Sequence, residues 1–346
     1  MTGQLDITRE GHLGLIALNR PEAINALSRD MIDGITRSLE QWRDDSDIRL
    51  VLFEGRGPRG FCSGGDVRAV RQAIVDGRPE DADAYFAAEY RMNGLIAGYP
   101  KPLVALSHGV VMGGGIGIAG HCAFRFTTAG AKFAMPEAAI GFVADVGVNL
   151  ILGQAPLQRA LIFLMSGIAV GPADALALGL VDGVIDPERT EAVRAGIAAA
   201  AEATHIGGAL RALLQAEAVE PGEASLCAEA DVLDPHLDWQ SAEAIVAGTT
   251  GALSETLRSR SPTSLEAIVR SHIAARRLTI AADVLALDLR LARLLSRMPD
   301  FAEGVRAVLI DKDQRPNWQP RDFAEVPRHA IAAAIPAISS APKLQP

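Results

Sequence analysis

Short apolar runs alternate with longer amphipathic segments over roughly the first 190 residues of the chain. The runs predict buried strands at 14–18, 49–53, 103–106 and 123–127. Between the runs, the spacing of apolar residues predicts helices over 28–42 and 81–97, with further helices beginning near Asp66 and around Gly114. Strands that alternate with helices indicate right-handed β–α units. The expected fold class is therefore α/β with a mostly parallel sheet.

The second half of the chain has a different pattern. After Pro156 it is mostly helical, with one short strand near 183–185, and beyond the alanine run at 198–201 the segments are amphipathic helices. The end of the chain is dotted with prolines from 327 onwards and is typical of a frayed tail. We therefore expect a core over 1–200, a helical C-terminal region over 201–330 and a flexible tail over 331–346.

Composition and charge narrow the function classes. Of the 346 residues, 49% are hydrophobic and 22% charged, which is ordinary for a soluble globular protein. The net charge of −9 argues against a nucleic-acid partner but leaves room for a small basic pocket that holds a phosphorylated ligand. The longest apolar stretch, 102–120, contains His108 and six glycines. It indicates a buried strand and a tight turn rather than a membrane span.

The cysteines and the N-terminus bear on metal binding and location. Cys62, Cys122 and Cys227 have neither metal-site nor disulfide-framework spacing, which is consistent with a reducing cytosol. We expect no metal site. The first residues lack the basic and apolar blocks of a signal peptide, and a cytoplasmic location is expected.

Two glycine-rich turns followed by two acids form the pattern with the clearest chemistry. The turns are Ser63-Gly64-Gly65-Asp66 and Gly113-Gly114-Gly115, each expected between a strand and a helix. Glycines let a backbone approach a ligand closely, and two N–H groups that converge on a carbonyl oxygen form an oxyanion hole. Glu137 and Asp145 follow. Taken alone, Glu137 fits an acid in the first turn of a helix, and Asp145 fits an N-cap.

These segments resemble the enoyl-CoA hydratase/isomerase (crotonase) superfamily. The resemblance is carried by 18–21 with 23–27, by 61–66 and by 111–115. The segments 261–265 and 301–313 are similar to the 3-hydroxyisobutyryl-CoA hydrolase subgroup of that superfamily, so the resemblance covers nearly the whole chain.

The resemblance implies a superhelix of stacked ββα turns with a helical C-terminal region, and a core that binds an acyl-CoA thioester. Its carbonyl would lie between the N–H groups of Gly65 and Gly114, with Glu137 as the principal catalytic carboxylate and Asp145 as its partner. Glu89 would contact the substrate, although it also fits the solvated face of a helix. The positions that match the coenzyme A path are Ala23, Ile24, Ser63, Gly64 and Asp66.

Partners follow from the same resemblance. Coenzyme A would enter as part of the substrate, so no separate cofactor is expected. Crotonase-like chains commonly form trimers or hexamers, and a homo-oligomer is an open expectation here.

Gly117 favours hydrolysis over hydration. In the hydratases a second acid stands three residues after the middle glycine of the GGG turn, and this chain has Gly117 there. A glycine cannot move a proton, whereas Asp145 stands where hydratases tend to carry glycine. Hydrolysis is therefore expected, and the resemblance to the hydrolase subgroup implies a short branched 3-hydroxyacyl-CoA as the substrate, as in valine catabolism. A hydratase or isomerase that uses Glu137, and a non-catalytic acyl-CoA-binding protein, are the alternatives.

Two points stay open at this stage. Glu137 could attack the thioester directly or deprotonate a water. Val148-Asn149 also departs from the glycines and aromatic residue usual after this position, so the shape around the acyl group is unassigned.

Overall fold

Nine strands form two sheets in the computed structural model, which describes residues 3–335. In chain order the strands are β1 (Leu5–Glu10), β2 (Leu13–Leu18), β3 (Leu50–Gly55), β4 (Gly60–Cys62), β5 (Leu103–Ser107), β6 (Val110–Met112), β7 (Phe124–Thr128), β8 (Lys132–Ala134) and β9 (Gly183–Ile185). The larger sheet has the order β1-β2-β3-β5-β7-β9, and the smaller sheet has the order β4-β6-β8.

The larger sheet confirms the expected parallel arrangement, since β2, β3, β5, β7 and β9 all pair in parallel. Its edge strand β1 pairs antiparallel with β2 and was missed by the sequence interpretation. The reason is that β1 is half exposed and carries polar residues between its apolar ones, whereas every residue of β2 is buried.

The smaller sheet was also missed, because strands of three residues are too short to show a periodicity. Its strands lie parallel, and each one follows a strand of the larger sheet along the chain. Parallel neighbours end at the same edge of a sheet. The segments that follow β4, β6 and β8 are therefore brought together, and these are the two glycine turns and the turn that carries Glu137.

Sixteen α-helices surround the sheets within the described residues. They are α1 (Arg29–Trp42), α2 (Val67–Val75), α3 (Pro79–Ala97), α4 (Gly114–Ala119), α5 (Val148–Ile151), α6 (Leu157–Ser166), α7 (Pro172–Ala177), α8 (Thr190–Glu202), α9 (Ile206–Glu217), α10 (Ser225–Asp231), α11 (Ala242–Gly248), α12 (Gly251–Arg258), α13 (Pro262–Ala275), α14 (Ala281–Leu295), α15 (Pro299–Val305) and α16 (Arg328–Ala334). Shorter turns include a 3-10 helix at Pro136–Ile140 and a π-helix at Arg306–Ile310. None of the helices in residues 3–335 has the length and hydropathy needed to cross a membrane.

One apolar core joins the first half of the chain to the C-terminal helices. Phe53 and Phe142 belong to the same buried cluster as Leu287 and Phe301. A smaller cluster lies on the other face of the larger sheet, under α8 and α9. The helical C-terminal region expected from the amphipathic pattern is thus confirmed, and it packs directly on the core.

The predicted tail needs a correction. Residues 328–334 form α16, which packs against α14, and Ile331 is fully buried. The flexible tail assigned to 331–346 is therefore wrong over 331–335, because Ile331 is buried and Ile335 packs against the core. The rest of the assigned tail, 336–346, lies outside the described residues.

Candidate active site

A cavity of about 720 Å³ contains every residue that the sequence singled out for the site. The residues that line it include Ala23, Ile24, Ser63, Gly64, Gly65, Asp66, Glu89, Gly114, Glu137 and Asp145. They come from points more than a hundred residues apart in the chain, so only the folded structure brings them together.

The two glycine turns lie side by side at one wall of the cavity. A Cβ atom placed on Gly114 would be 3.3 Å from the backbone nitrogen of Gly65. Neither the Gly65 N–H nor the Gly114 N–H donates a hydrogen bond within the described chain. Gly64 and Gly113 have φ angles of 107° and 47°, a region that favours glycine. Two free backbone donors therefore stand next to each other.

The first glycine turn is fixed to the segment that precedes α1. The N–H of Leu27 donates to the carbonyl of Gly64 at 2.8 Å, and the N–H of Asp66 donates to the carbonyl of Leu27 at 3.1 Å. The hydroxyl of Tyr85 donates to the same Leu27 carbonyl at 2.8 Å and accepts from the Asp66 N–H at 3.1 Å. These bonds hold the backbone of the turn without using the N–H of Gly65.

Three acidic side chains are buried around the same cavity. Glu89, Glu137 and Asp145 are 3%, 7% and 6% exposed, so the interpretations of Glu89 as a solvated helix face and of Asp145 as a helix cap are wrong. The N-cap of α5 is Gly147. One oxygen of Glu89 and one of Glu137 have no hydrogen-bond partner in the described chain. A buried, unpartnered carboxylate oxygen is unfavourable unless a ligand or a proton satisfies it.

Burial changes the acidity of all three groups. Burial, and then the neighbouring Asp145, raise the pKa of Glu89 to about 8. The same two causes raise the pKa of Glu137 well above its ordinary value. Burial raises the pKa of Asp145 to about 7, although the hydroxyl of Tyr90 donates a hydrogen bond to it at 2.5 Å and favours the charged form. Groups of this kind can exchange protons near neutral pH.

The pKa of Asp145 gives a stability prediction. Because the unfolded carboxyl ionises above about 3.8 while the folded one stays protonated up to about 7, stability is lost as the pH rises through this interval. Asp145→Asn removes that loss. The difference in Tm between the variant and wild type is therefore expected to become more positive from pH 4 to pH 8. Thermal unfolding at both pH values measures it, with the exposed Glu40→Gln as control. An equal Tm difference at the two pH values would contradict the expectation.

The segments that carry the hydrolase-subgroup resemblance pack on the Glu137 turn. The N–H of Ser261 donates to the carbonyl of Ala138 at 3.3 Å. Gly304 of α15 approaches the backbone of Ile140 so closely that an added Cβ would lie 2.6 Å from the Ile140 Cα. The C-terminal region therefore sets the position of the turn that carries Glu137.

Gly117 lies on α4, where no side chain would fit without a shift of its neighbours. A Cβ atom there would be 2.8 Å from the Cβ of Val146 and would also meet the side-chain nitrogen of Asn93. Asn93 is fully buried, and neither its oxygen nor its nitrogen has a partner in the described chain. The space that a second acid would need at position 117 is occupied.

Four basic side chains are among the residues that line the cavity. These are Arg20, Arg59, Arg68 and Lys312. Arg68 donates to the carbonyl of Leu309 at 2.8 Å, which ties α2 to the π-helical segment beside Lys312. Arg20 forms an ion pair with Asp66 at 2.8 Å. Basic side chains along the cavity of a chain with a net charge of −9 suit a phosphorylated ligand. Residues 3–335 contain no group of three or more His, Cys, Asp or Glu side chains that could hold a metal ion.

Sequence reasoning missed three polar residues near the site: Tyr90, Asn93 and Asp288. Asp288 had a detectable signal, because it lies on the apolar stripe of α14, four residues after Val284 and three before Leu291. An acid on a buried helix face is rare unless it has a partner. Tyr90 and Asn93 carried no such signal, since both residue types occur often in ordinary helices.

Comparisons with known proteins agree on one family. A family model described as enoyl-CoA hydratase/isomerase matches residues 13–335. The mitochondrial 3-hydroxyisobutyryl-CoA hydrolase of Homo sapiens is 32% identical, covering 92% of this chain and 85% of the human protein. The protein of the same name from Danio rerio is 34% identical, covering 91% of this chain and 85% of its own length.

Solved structures give the same fold under different activity names. A carnitinyl-CoA dehydratase from Mycobacterium thermoresistibile superposes with a TM-score of 0.85 at 32% identity, covering 97% of both chains. An enoyl-CoA hydratase from Rhodobacter sphaeroides 2.4.1 has a TM-score of 0.84 at 30% identity, covering 97% of this chain and 98% of its own.

Proposed function

The chain belongs to the enoyl-CoA hydratase/isomerase family, and from this premise we propose that it hydrolyses the thioester of a short branched 3-hydroxyacyl-CoA, of the 3-hydroxyisobutyryl-CoA type. The products would be the free 3-hydroxy acid and coenzyme A. The names of the relatives support this reaction, and a place in valine breakdown is part of the proposal.

One observation carries the proposal: two glycine N–H groups without a partner among residues 3–335 and three buried acids line one cavity. When a thioester carbonyl becomes tetrahedral, its oxygen gains negative charge. Two backbone donors fixed at 65 and 114 would stabilise that charge without reorganisation. The acids supply proton transfer beside the same carbon.

Glu137 has the principal role in the proposed reaction. Its raised pKa makes its carboxylate a stronger base than an exposed glutamate. It would either take a proton from a water that attacks the carbonyl carbon, or attack that carbon itself and form an anhydride that water then opens. In both routes a carbon–oxygen bond forms, the carbon–sulfur bond breaks, and the departing thiolate accepts a proton.

Asp145 would be the catalytic partner of Glu137 in proton transfer, and Glu89 would contact the substrate. Both are buried beside Glu137 and exchange protons near neutral pH, so each could donate to or accept from a 3-hydroxyl group. Apolar side chains that line the same cavity, including Phe86 and Phe142, would contact the acyl chain. This pairing of acids with an apolar wall favours a 3-hydroxyacyl group over an unsubstituted one.

Coenzyme A would lie along the rest of the cavity. The pantetheine arm would follow Ala23, Ile24 and the 63–66 turn, and the phosphates would reach the basic side chains of the cavity lining, Lys312 among them. The coenzyme is part of the substrate in this proposal, so the reaction needs no other cofactor.

Release of free thiol tests the proposal. Purified protein is incubated with 3-hydroxyisobutyryl-CoA, isobutyryl-CoA and acetyl-CoA, and thiol is followed with a chromogenic disulfide. We expect turnover of 3-hydroxyisobutyryl-CoA with a kcat/KM at least about tenfold above that of isobutyryl-CoA, since a buried polar site rejects a ligand that lacks its hydroxyl. No thiol release above background from any substrate would reject it.

Hydration of an enoyl-CoA is the second candidate, and the names of the two superposed structures favour it. The crowding at Gly117 argues against hydration. Glycine supplies no acid at the position of the hydratases' second acid, and Asn93 and Val146 fill the space that an acidic side chain would need there. Loss of crotonyl-CoA absorbance without thiol release would decide for hydration.

A further inference from the structure

Asp288 is a buried acid outside the cavity, and the reaction proposed above does not use it. It lies on α14 and is completely buried. One carboxyl oxygen accepts a hydrogen bond from the N–H of Gly147 at 2.8 Å, and the other has no partner within the described chain. Burying an acid with an unpartnered oxygen in an apolar interface costs free energy. The hydrogen bond with Gly147 is the polar contact that offsets part of this cost.

We propose that Asp288 is a positioning residue for Asp145, which it holds in place through the N–H of Gly147. The inference rests on the role proposed for Asp145. Asp288 lies in the C-terminal helical region, 143 residues after Asp145, so this region would take part in building the acid–base site.

The turn that carries Asp145 needs external support. Val146 has a φ of 53° and Gly147 a φ of 74°. A positive φ is unfavourable for a β-branched residue and persists only where surrounding contacts fix it. His121 donates from Nε2 to the carbonyl of Val146 at 2.9 Å, and Asp288 accepts from the next N–H. The two side chains hold consecutive backbone groups immediately after Asp145.

Asp288 can perform this task without placing a second charge beside Asp145. Burial, and then the nearby Asp145, raise the pKa of Asp288 well above its ordinary value. A neutral carboxylic acid still offers a carbonyl oxygen to the Gly147 N–H. Asparagine has the same shape as that neutral acid and offers the same acceptor, whereas leucine has a similar volume and offers none.

The helix that carries Asp288 is fixed against α3. Leu285 packs on Gly94 of α3 and also on Gly147, at 3.3 Å from the position of an added Cβ in each case. Arg297, just after α14, forms a bidentate ion pair with Asp83 of α3, at 2.8 and 2.9 Å. Glu89 and Tyr90 are on the same α3. Helix α14 therefore has a fixed position relative to α3, and its contacts hold the Asp145 turn beside the two residues on α3.

The test compares Asp288→Leu, Asp288→Asn and the packing control Leu295→Ala, which removes a buried side chain two turns further along α14. With 3-hydroxyisobutyryl-CoA, Asp288→Leu is expected to lower kcat at least about tenfold with KM little changed, while Asp288→Asn stays within about threefold of wild type. In an Asp145→Asn background, Asp288→Leu should cause no further loss of kcat, because two residues that act as one unit are not additive. Leu295→Ala is expected to lower Tm without this coupling.

A second measurement does not depend on hydrolysis. Hydrogen–deuterium exchange of a peptide covering 144–148 should be faster in Asp288→Leu and unchanged in Asp288→Asn. If wild type releases no thiol, the proposed function fails and exchange alone decides the positioning role. An equal loss of kcat in Asp288→Leu with and without Asp145, or unchanged exchange in Asp288→Leu, would overturn the inference.

Discussion

Glu137→Gln is expected to lower kcat for thiol release by about 10²- to 10⁴-fold, with KM for the acyl-CoA changed little. The amide has the shape of the acid but neither attacks a carbonyl nor accepts a proton from water. The side chain is buried and one of its oxygens has no partner in the described chain, so the fold does not depend on its charge. Initial rates over a range of acyl-CoA concentrations measure the effect.

The control for this variant is Glu266→Gln. Glu266 is also a buried glutamate, 3% exposed, but it pairs with Arg270 and does not line the cavity. Its replacement is expected to lower Tm while kcat stays near wild type. A Glu137→Gln enzyme with wild-type kcat would rule out Glu137 as the reacting group. Tight acyl-CoA binding by a wild type without turnover would identify a non-catalytic binding protein.

Gly114→Ala is expected to lower kcat by about 10²- to 10³-fold while Tm changes little. The added methyl would press on the ends of two side chains, the carboxylate of Glu89 and a methyl of Leu27 at 3.0 Å, and these ends can shift, so the fold can accommodate it. It would nevertheless stand next to Gly65 N, where the thioester oxygen is proposed to bind. Kinetics and thermal unfolding of the same preparation measure both effects.

Gly115→Ala is the matched control, one residue further along. There the methyl would lie 2.6 Å from the backbone carbonyl oxygen of Cys62, which cannot move away. Overpacking of this kind costs about 1–3 kcal/mol, so we expect a lower Tm. Similar losses of stability in the two variants, or full activity in Gly114→Ala, would count against the proposed oxyanion hole.

Local patterns in the sequence determined much of this protein. The apolar runs at β2, β3 and β5 predicted the strands of the larger sheet, because a fully buried strand needs an uninterrupted apolar run. The amphipathic spacing after Pro156 predicted the helical C-terminal region. Glycine pairs and triplets marked the two turns, since few other residues allow such close backbone approach. All ten residues named for the site line one cavity.

Other features were decided only by the tertiary structure. Strands of three residues gave no periodic signal, yet the small sheet they form brings both glycine turns and the Glu137 turn together. The hydrogen bond from Tyr90 to Asp145 and the contact of Asp288 with Gly147 join residues that are distant in the chain. The burial of Glu89 depends on which parts of the fold cover it. A sequence pattern records neighbours along the chain, whereas acidity and reactivity depend on neighbours in space and on the exclusion of water.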